Sequence, residues 1–212
     1  MPSSFFDISM DEMPSIIPIM PYNTSILMPT GKVSLRLYET RHFNMIFDAL
    51  ASQRIIGLIQ SMEPVFDFSP TLYSVGCAGR ISAFSEGDNN SMMATITGIC
   101  RFTMVTELKR PRGYRQAKVD YSRFGNDAKL QPNTIDRKAL FPVLENFVRQ
   151  NNLDVTAKML SGMNDAKLLS TLAMLLPFES RERQLLLEAE NLNAMAETLI
   201  ALLKIGNQVK HE

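Results

Sequence analysis

Few residues in this chain could carry out chemistry. It has two histidines, His42 and His211, and two cysteines, Cys77 and Cys100. Nucleophilic catalysis of the Ser-His-Asp kind needs a histidine held between nucleophile and acid. His211 is the penultimate residue, and His42 falls in the first turn of a predicted helix, where it reads as a boundary residue. A reactive thiolate needs a nearby cation. Arg80 and Arg101 are close in sequence, but strand alternation turns position 80 away from 77 and position 101 away from 100. Both thiols therefore read as reduced, structural residues in neighbouring strands. A zinc site needs about four ligands in close pairs, which this Cys and His content does not supply. A phosphate loop of the form Gly-x-x-x-x-Gly-Lys-[Ser/Thr] is absent, as is Gly-x-Gly-x-x-Gly. Gly31-Lys32-Val33 lacks the upstream glycine and the hydroxyl, and Gly76-Cys77-Ala78-Gly79 sits in a predicted strand. The expectation is no catalytic residue, no metal and no cofactor.

Two candidate binding surfaces remain. Met62, Phe66, Phe68 and Tyr73 lie in and beside a loop between two predicted strands, where apolar side chains can meet a peptide. Lys109, Arg110, Arg112, Arg115 and Lys118 make a basic hairpin, followed by Arg123. With Tyr114 and Tyr121 for stacking, that stretch supports an alternative reading as an RNA or other anionic contact. Its plainer reading is a solvated hairpin whose charges protect a sheet edge. Glu86 and Asp88 read as solvated turn residues.

The 212 residues carry 22 basic and 22 acidic groups, so net charge is zero, which argues against a general nucleic-acid or polybasic membrane binder. This length allows one large domain or two small ones and a real core without disulfides. The first thirteen residues hold three acids and no Lys or Arg, unlike an export signal. No apolar run approaches the ~18 residues of a membrane span. The expected location is the cytoplasm, away from membranes.

The elements that must position these residues change character near residue 130. Residues 1–15 read as a flexible lead-in. Residues 16–21 carry prolines suited to an edge strand, and Pro29-Thr30-Gly31 marks a turn. Val33, Leu35 and Leu37 alternate with polar residues as in a half-buried strand. Phe43, Ile46, Phe47 and Leu50 give a helical stripe, with Thr40 as its cap. Strands are expected over 54–60, 72–84, 92–108 with a break near Gly98, and 114–124. Helices follow over 134–150, 154–161, 165–176 capped by Asn164, 181–190 capped by Ser180, and 191–205 stopped by Gly206. The fold class is α+β: a barrel-like sheet subdomain over 16–126, then a helical bundle over 134–206.

Several of these segments, in order, resemble the N-terminal substrate-binding domain of Lon-type ATP-dependent proteases. Ile17-Pro18-Ile19-Met20-Pro21-Tyr22 is similar to that family's opening strand, and Met28-Pro29-Thr30-Gly31 to its following turn. The segment from Leu35 to Phe43 keeps a Glu39, Arg41 and aromatic pattern, and residues 54–59 follow in register. Residues 73–81 and 98–102 are similar to its glycine-containing strands, and Leu176-Pro177 with Gln184-Leu185-Leu186-Leu187-Glu188 to its helices. Thr30 before Gly31, and Glu182-Arg183 before Gln184, depart from the pattern. The resemblance implies a PUA-like pseudo-barrel followed by a helical bundle. It also implies a stand-alone bacterial form without the ATPase or protease parts, and a non-catalytic module that binds polypeptide or a partner protein.

Overall fold

The computed structural model describes residues 10–62, 70–109, 111–127 and 135–208. The chain divides into two compact units, Met1–Leu130 and Gln131–Glu212.

The first unit holds strands β1 (Ile16–Pro21) and β2 (Lys32–Leu37), helix α1 (Thr40–Leu50), and strands β3 (Ile55–Ser61), β4 (Leu72–Gly87), β5 (Ser91–Leu108) and β6 (Arg115–Asp120). The sheet runs β2-β5-β4-β3-β1-β6, and β6 pairs again with β5. Five strands thus close on themselves, and β2 hangs outside the ring on β5. Closure removes most exposed edges and leaves β2 as an edge strand. The prolines of β1 suggested an edge, yet β1 lies between β3 and β6. The reason is register. β1 pairs with β3 over Ile19–Pro21 and with β6 over Ile16–Ile19. The two ladders overlap only at Ile19, so Pro18 and Pro21 each face a strand on one flank alone, leaving the other flank for the missing N–H.

The ring is filled by Ile17, Ile19, Ile55, Ile59, Phe102, Ala117 and Val119. Of the lead-in, residues 1–9 lie outside the described residues; Met13 packs into this core, and the Pro14 carbonyl accepts from the Tyr121 hydroxyl at 3.0 Å. The break near Gly98 is a register shift, with Ala78 opposite Cys100 but Gly79 opposite Gly98. A Cβ at Gly98 would sit 2.1 Å from the Met28 carbonyl oxygen. Its absence lets the 28–31 turn lie against β5: Thr30 N donates to Gly98 O at 3.0 Å, and Gly98 N to Gly31 O at 2.8 Å. The α1 stripe is rotated from the expected one. Met45, Ile46 and Ala49 are buried, while Phe47 is exposed. Thr40 is the first helical residue rather than the cap, and Glu39 precedes it without a side-chain capping bond.

The second unit comprises α2 (Arg137–Gln150), α3 (Ala157–Ser161), α4 (Asp165–Leu175), α5 (Ser180–Glu188) and α6 (Leu192–Gln208). Asp136 caps α2 through Lys138 N and Ala139 N, and Asn164 caps α4 as expected. The α5 cap is Glu179, not Ser180: its side chain and that of Glu182 form a reciprocal capping box. Gly206 does not stop α6, which continues to Gln208. A Cβ there would stand 2.6 Å from the Phe147 ring, so the glycine serves close helix packing. Asp165 is buried and holds α2 from within this unit, accepting from Ile135 N at 3.0 Å and Arg137 Nε at 2.8 Å.

Candidate functional site

The first unit contains a cavity of about 430 Å³. Its walls are the end of β1 with Tyr22 and Thr24, the second half of β2, the start of α1, Pro70, and Gly113 to Arg115. The floor is apolar: β2 turns alternate residues Leu35 and Leu37 inward, and the consecutive buried residues Ile19 and Met20 at the end of β1 and Met45 of α1 complete it. The rim is aromatic and charged. Tyr38 is 57% exposed, and the Arg36 guanidinium stacks 5.5 Å from its ring centroid. Glu39 organises the polar side, with Arg41 Nε at 2.8 Å from Oε2 and His42 Nδ1 at 3.7 Å from Oε1. Burial lowers the His42 pKa; Glu39 pulls it up and Arg41 pushes it further down. His42 is therefore a neutral imidazole near pH 7.

The far wall is braced by polar contacts. Arg112 pairs with Asp48 and donates to Asn44 Oδ1 at 3.0 Å. Asn44 in turn donates to the Arg112 carbonyl at 3.1 Å, and the Tyr114 hydroxyl donates to Asp48 at 2.9 Å. Arg115 forks onto Glu107 and donates to the Pro70 carbonyl at 2.9 Å.

These contacts engage part of the basic hairpin. Arg115 is 9% exposed and taken by Glu107, and Arg112 ties the hairpin to α1. Tyr114 is buried, and Tyr121 is half-buried with its hydroxyl on Pro14. The Tyr114 ring is therefore not free to stack on a base. Lys109 and Lys118 are exposed, and Arg110 lies outside the described residues. Of the proposed peptide surface, Met62 is 54% exposed, Tyr73 is half-buried, and Phe66 and Phe68 lie outside the described residues. Met62 and Tyr73 do not line the cavity. Sequence reasoning passed over the cavity itself. Its signal was the run Arg36, Tyr38, Glu39, Arg41 and His42, which carried the resemblance but had no role attached.

Cys77 and Cys100 are free and buried on adjacent strands. Burial and the nearby Asp127 charge raise both thiols, Cys100 to about 12. Own-strand alternation missed a cross-strand neighbour: Arg101 stands opposite Cys77. Its charge is taken by Asp127, through Nε at 2.8 Å and Nη2 at 2.8 Å. Among the described residues, no group of three His, Cys, Asp or Glu is placed to hold a metal, and no helix is long and apolar enough to cross a membrane.

Comparison with known proteins places this geometry in context. Residues 16–204 match the family described as the ATP-dependent protease La (LON) substrate-binding domain. A Lon protease of Anaeromyxobacter dehalogenans is 22% identical over 207 residues, covering 95% of this chain and 24% of that protein. Lon protease 2 of Myxococcus xanthus is 26% identical over 115 residues, 53% of this chain and 14% of that protein. The chain thus spans a quarter or less of these two curated relatives. A Lon N-terminal domain protein from Xanthomonas campestris has a similar fold, with a TM-score of 0.63 at 22% identity, covering 89% of this chain and 98% of that one.

Proposed function

The chain belongs to the LON substrate-binding domain family, and on that premise we propose that it binds polypeptide without performing chemistry on it. The observation that carries the reading is the cavity beside β2, with its apolar floor and half-exposed aromatic rim. Sites that accept side chains of varied clients combine apolar depth with few fixed polar groups. The closed ring of strands fits the PUA-like pseudo-barrel that the resemblance implies. The buried thiols support the non-catalytic side: burial keeps both protonated and so non-nucleophilic. The polypeptide reading is favoured over the RNA one because Arg115 is buried on Glu107 and Tyr114 is buried, which leaves less of the hairpin for an anionic contact.

The test is a fluorescence anisotropy titration of the full chain against a permanently unfolded protein, reduced and carboxymethylated, and against a natively folded one. The expected result is micromolar binding of the unfolded protein alone, with no phosphate release from ATP and intact casein after hours. Equal affinity for folded and unfolded protein, or no binding of either, overturns the reading.

A further inference from the structure

The proposal concerns which polypeptide the site selects, and it rests on the polypeptide-binding reading above. Among the described residues, β2 has a strand neighbour on one side only, β5. Its burial alternates strictly: Lys32, Ser34 and Arg36 are exposed, while Val33, Leu35 and Leu37 are buried. The cavity opens along the second half of this strand. Among the described residues its charge is unbalanced: Arg36, Arg41 and Arg115 line it against the single carboxylate of Glu39. Glu39 is engaged by Arg41, and Arg115 by Glu107. Arg36 rests on the Tyr38 ring, and no carboxylate among the described residues pairs with it.

We propose that the open edge of β2 takes an extended client segment as an added strand, and that Arg36 selects an acidic side chain flanked by apolar ones. The flanking pattern follows from the pleat. A residue added directly beside Arg36 projects on the same face, within about 4.5–5.5 Å between Cβ atoms. Its neighbours project to the opposite face, the one that carries Leu35 and Leu37 over the cavity floor. Backbone hydrogen bonds to the strand supply affinity that tolerates varied sequence, and alternate side chains supply selectivity. A carboxylate on Arg36 is a charge-assisted contact, and among the described residues no acid already pairs with Arg36.

The test uses labelled synthetic peptides of about ten residues, alternating valine and threonine, with Phe-Glu-Phe at the centre or Phe-Lys-Phe in its place. The glutamate peptide is expected to bind the full chain about tenfold tighter than the lysine peptide. Arg36→Gln should erase the preference and Arg36→Glu should invert it, with the urea unfolding midpoint unchanged for both because Arg36 is exposed. N-methylation of one alternate set of peptide amides should abolish binding, while methylation of the other set is tolerated. Equal binding of the two peptides, a preference that survives Arg36→Glu, or tolerance of both methylation sets overturns this inference. The unfolded-protein titration separates the two levels. If that protein binds and the peptides do not discriminate, selectivity at Arg36 fails and polypeptide recognition stands. If neither binds, both fail.

Discussion

Asp127→Ala should cost the first unit about 3–5 kcal/mol, the range for breaking a buried ion pair by removing one partner. Arg101 and Asp127 have side-chain exposures of 3% and 6%. The carboxylate accepts Nε at 2.8 Å, Nη2 at 2.8 Å and the Arg101 backbone N at 3.0 Å. Alanine removes all three bonds and leaves a guanidinium out of water and without its carboxylate. The Phe124 ring, 4.3 Å from the guanidinium carbon, contributes far less. The assay is urea unfolding followed by tyrosine fluorescence. All five tyrosines, at positions 22, 38, 73, 114 and 121, lie in the first unit, so the signal reports that unit. With a slope of about 2 kcal/mol per molar urea, the midpoint should fall by roughly 2 M. The double variant Arg101→Met with Asp127→Leu removes both charges and should recover most of the loss. A loss below about 1 kcal/mol for Asp127→Ala, or a double variant less stable than the single one, would refute this account of the pair.

Three other expectations follow from local geometry. Cys100, pushed up to about 12, and Cys77, raised likewise, should give no colour with Ellman's reagent in the native protein near pH 8, and two thiols per chain in concentrated urea; a fast native thiol contradicts this. The same shifts keep the stability that these thiols contribute intact below their ordinary value of 9.0 and erode it as pH rises toward 12. Gly98→Ala drives a Cβ to 2.1 Å from a backbone oxygen, and should lower stability by roughly 3 kcal/mol, read as a shifted urea midpoint; an unchanged midpoint contradicts the close-approach argument. His42 has its pKa lowered from 6.5 by burial, so the unfolded chain takes up the proton first and stability declines as pH falls through about 6.5. His42→Gln should flatten part of that slope in unfolding free energies measured near pH 7 and pH 5, and an unaltered slope would exclude His42 as its source.

Much of the fold was legible because periodicity reports burial directly. Val33, Leu35 and Leu37 alternate in the sequence and are buried in β2, and Asn164 caps α4 through its side chain. What stayed hidden depended on partners distant in sequence. Arg115 reads as a surface charge until Glu107, on the other strand of the hairpin, is placed beside it. Arg101 and Asp127 are 26 residues apart and meet only through the ring of strands. Gly206 has the composition of a helix stop, but the ring of Phe147 decides its role. The prolines of β1 read as edge signals because a sequence does not show that two ladders meet end to end at Ile19. The cavity escaped notice for a similar reason. β1, β2, α1 and the 113–115 segment each supply a fragment of it, and no single fragment has the pattern of a site.

The most direct test of polypeptide recognition at this cavity is the affinity of Tyr38→Ala for a permanently unfolded protein. Tyr38 is 57% exposed, so its removal should leave the unfolding free energy within about 0.5 kcal/mol of the original. The ring should be buried when a client side chain enters, and its loss should weaken binding about tenfold. A Tyr38→Ala protein that folds normally and binds the unfolded protein with unchanged affinity would contradict the account.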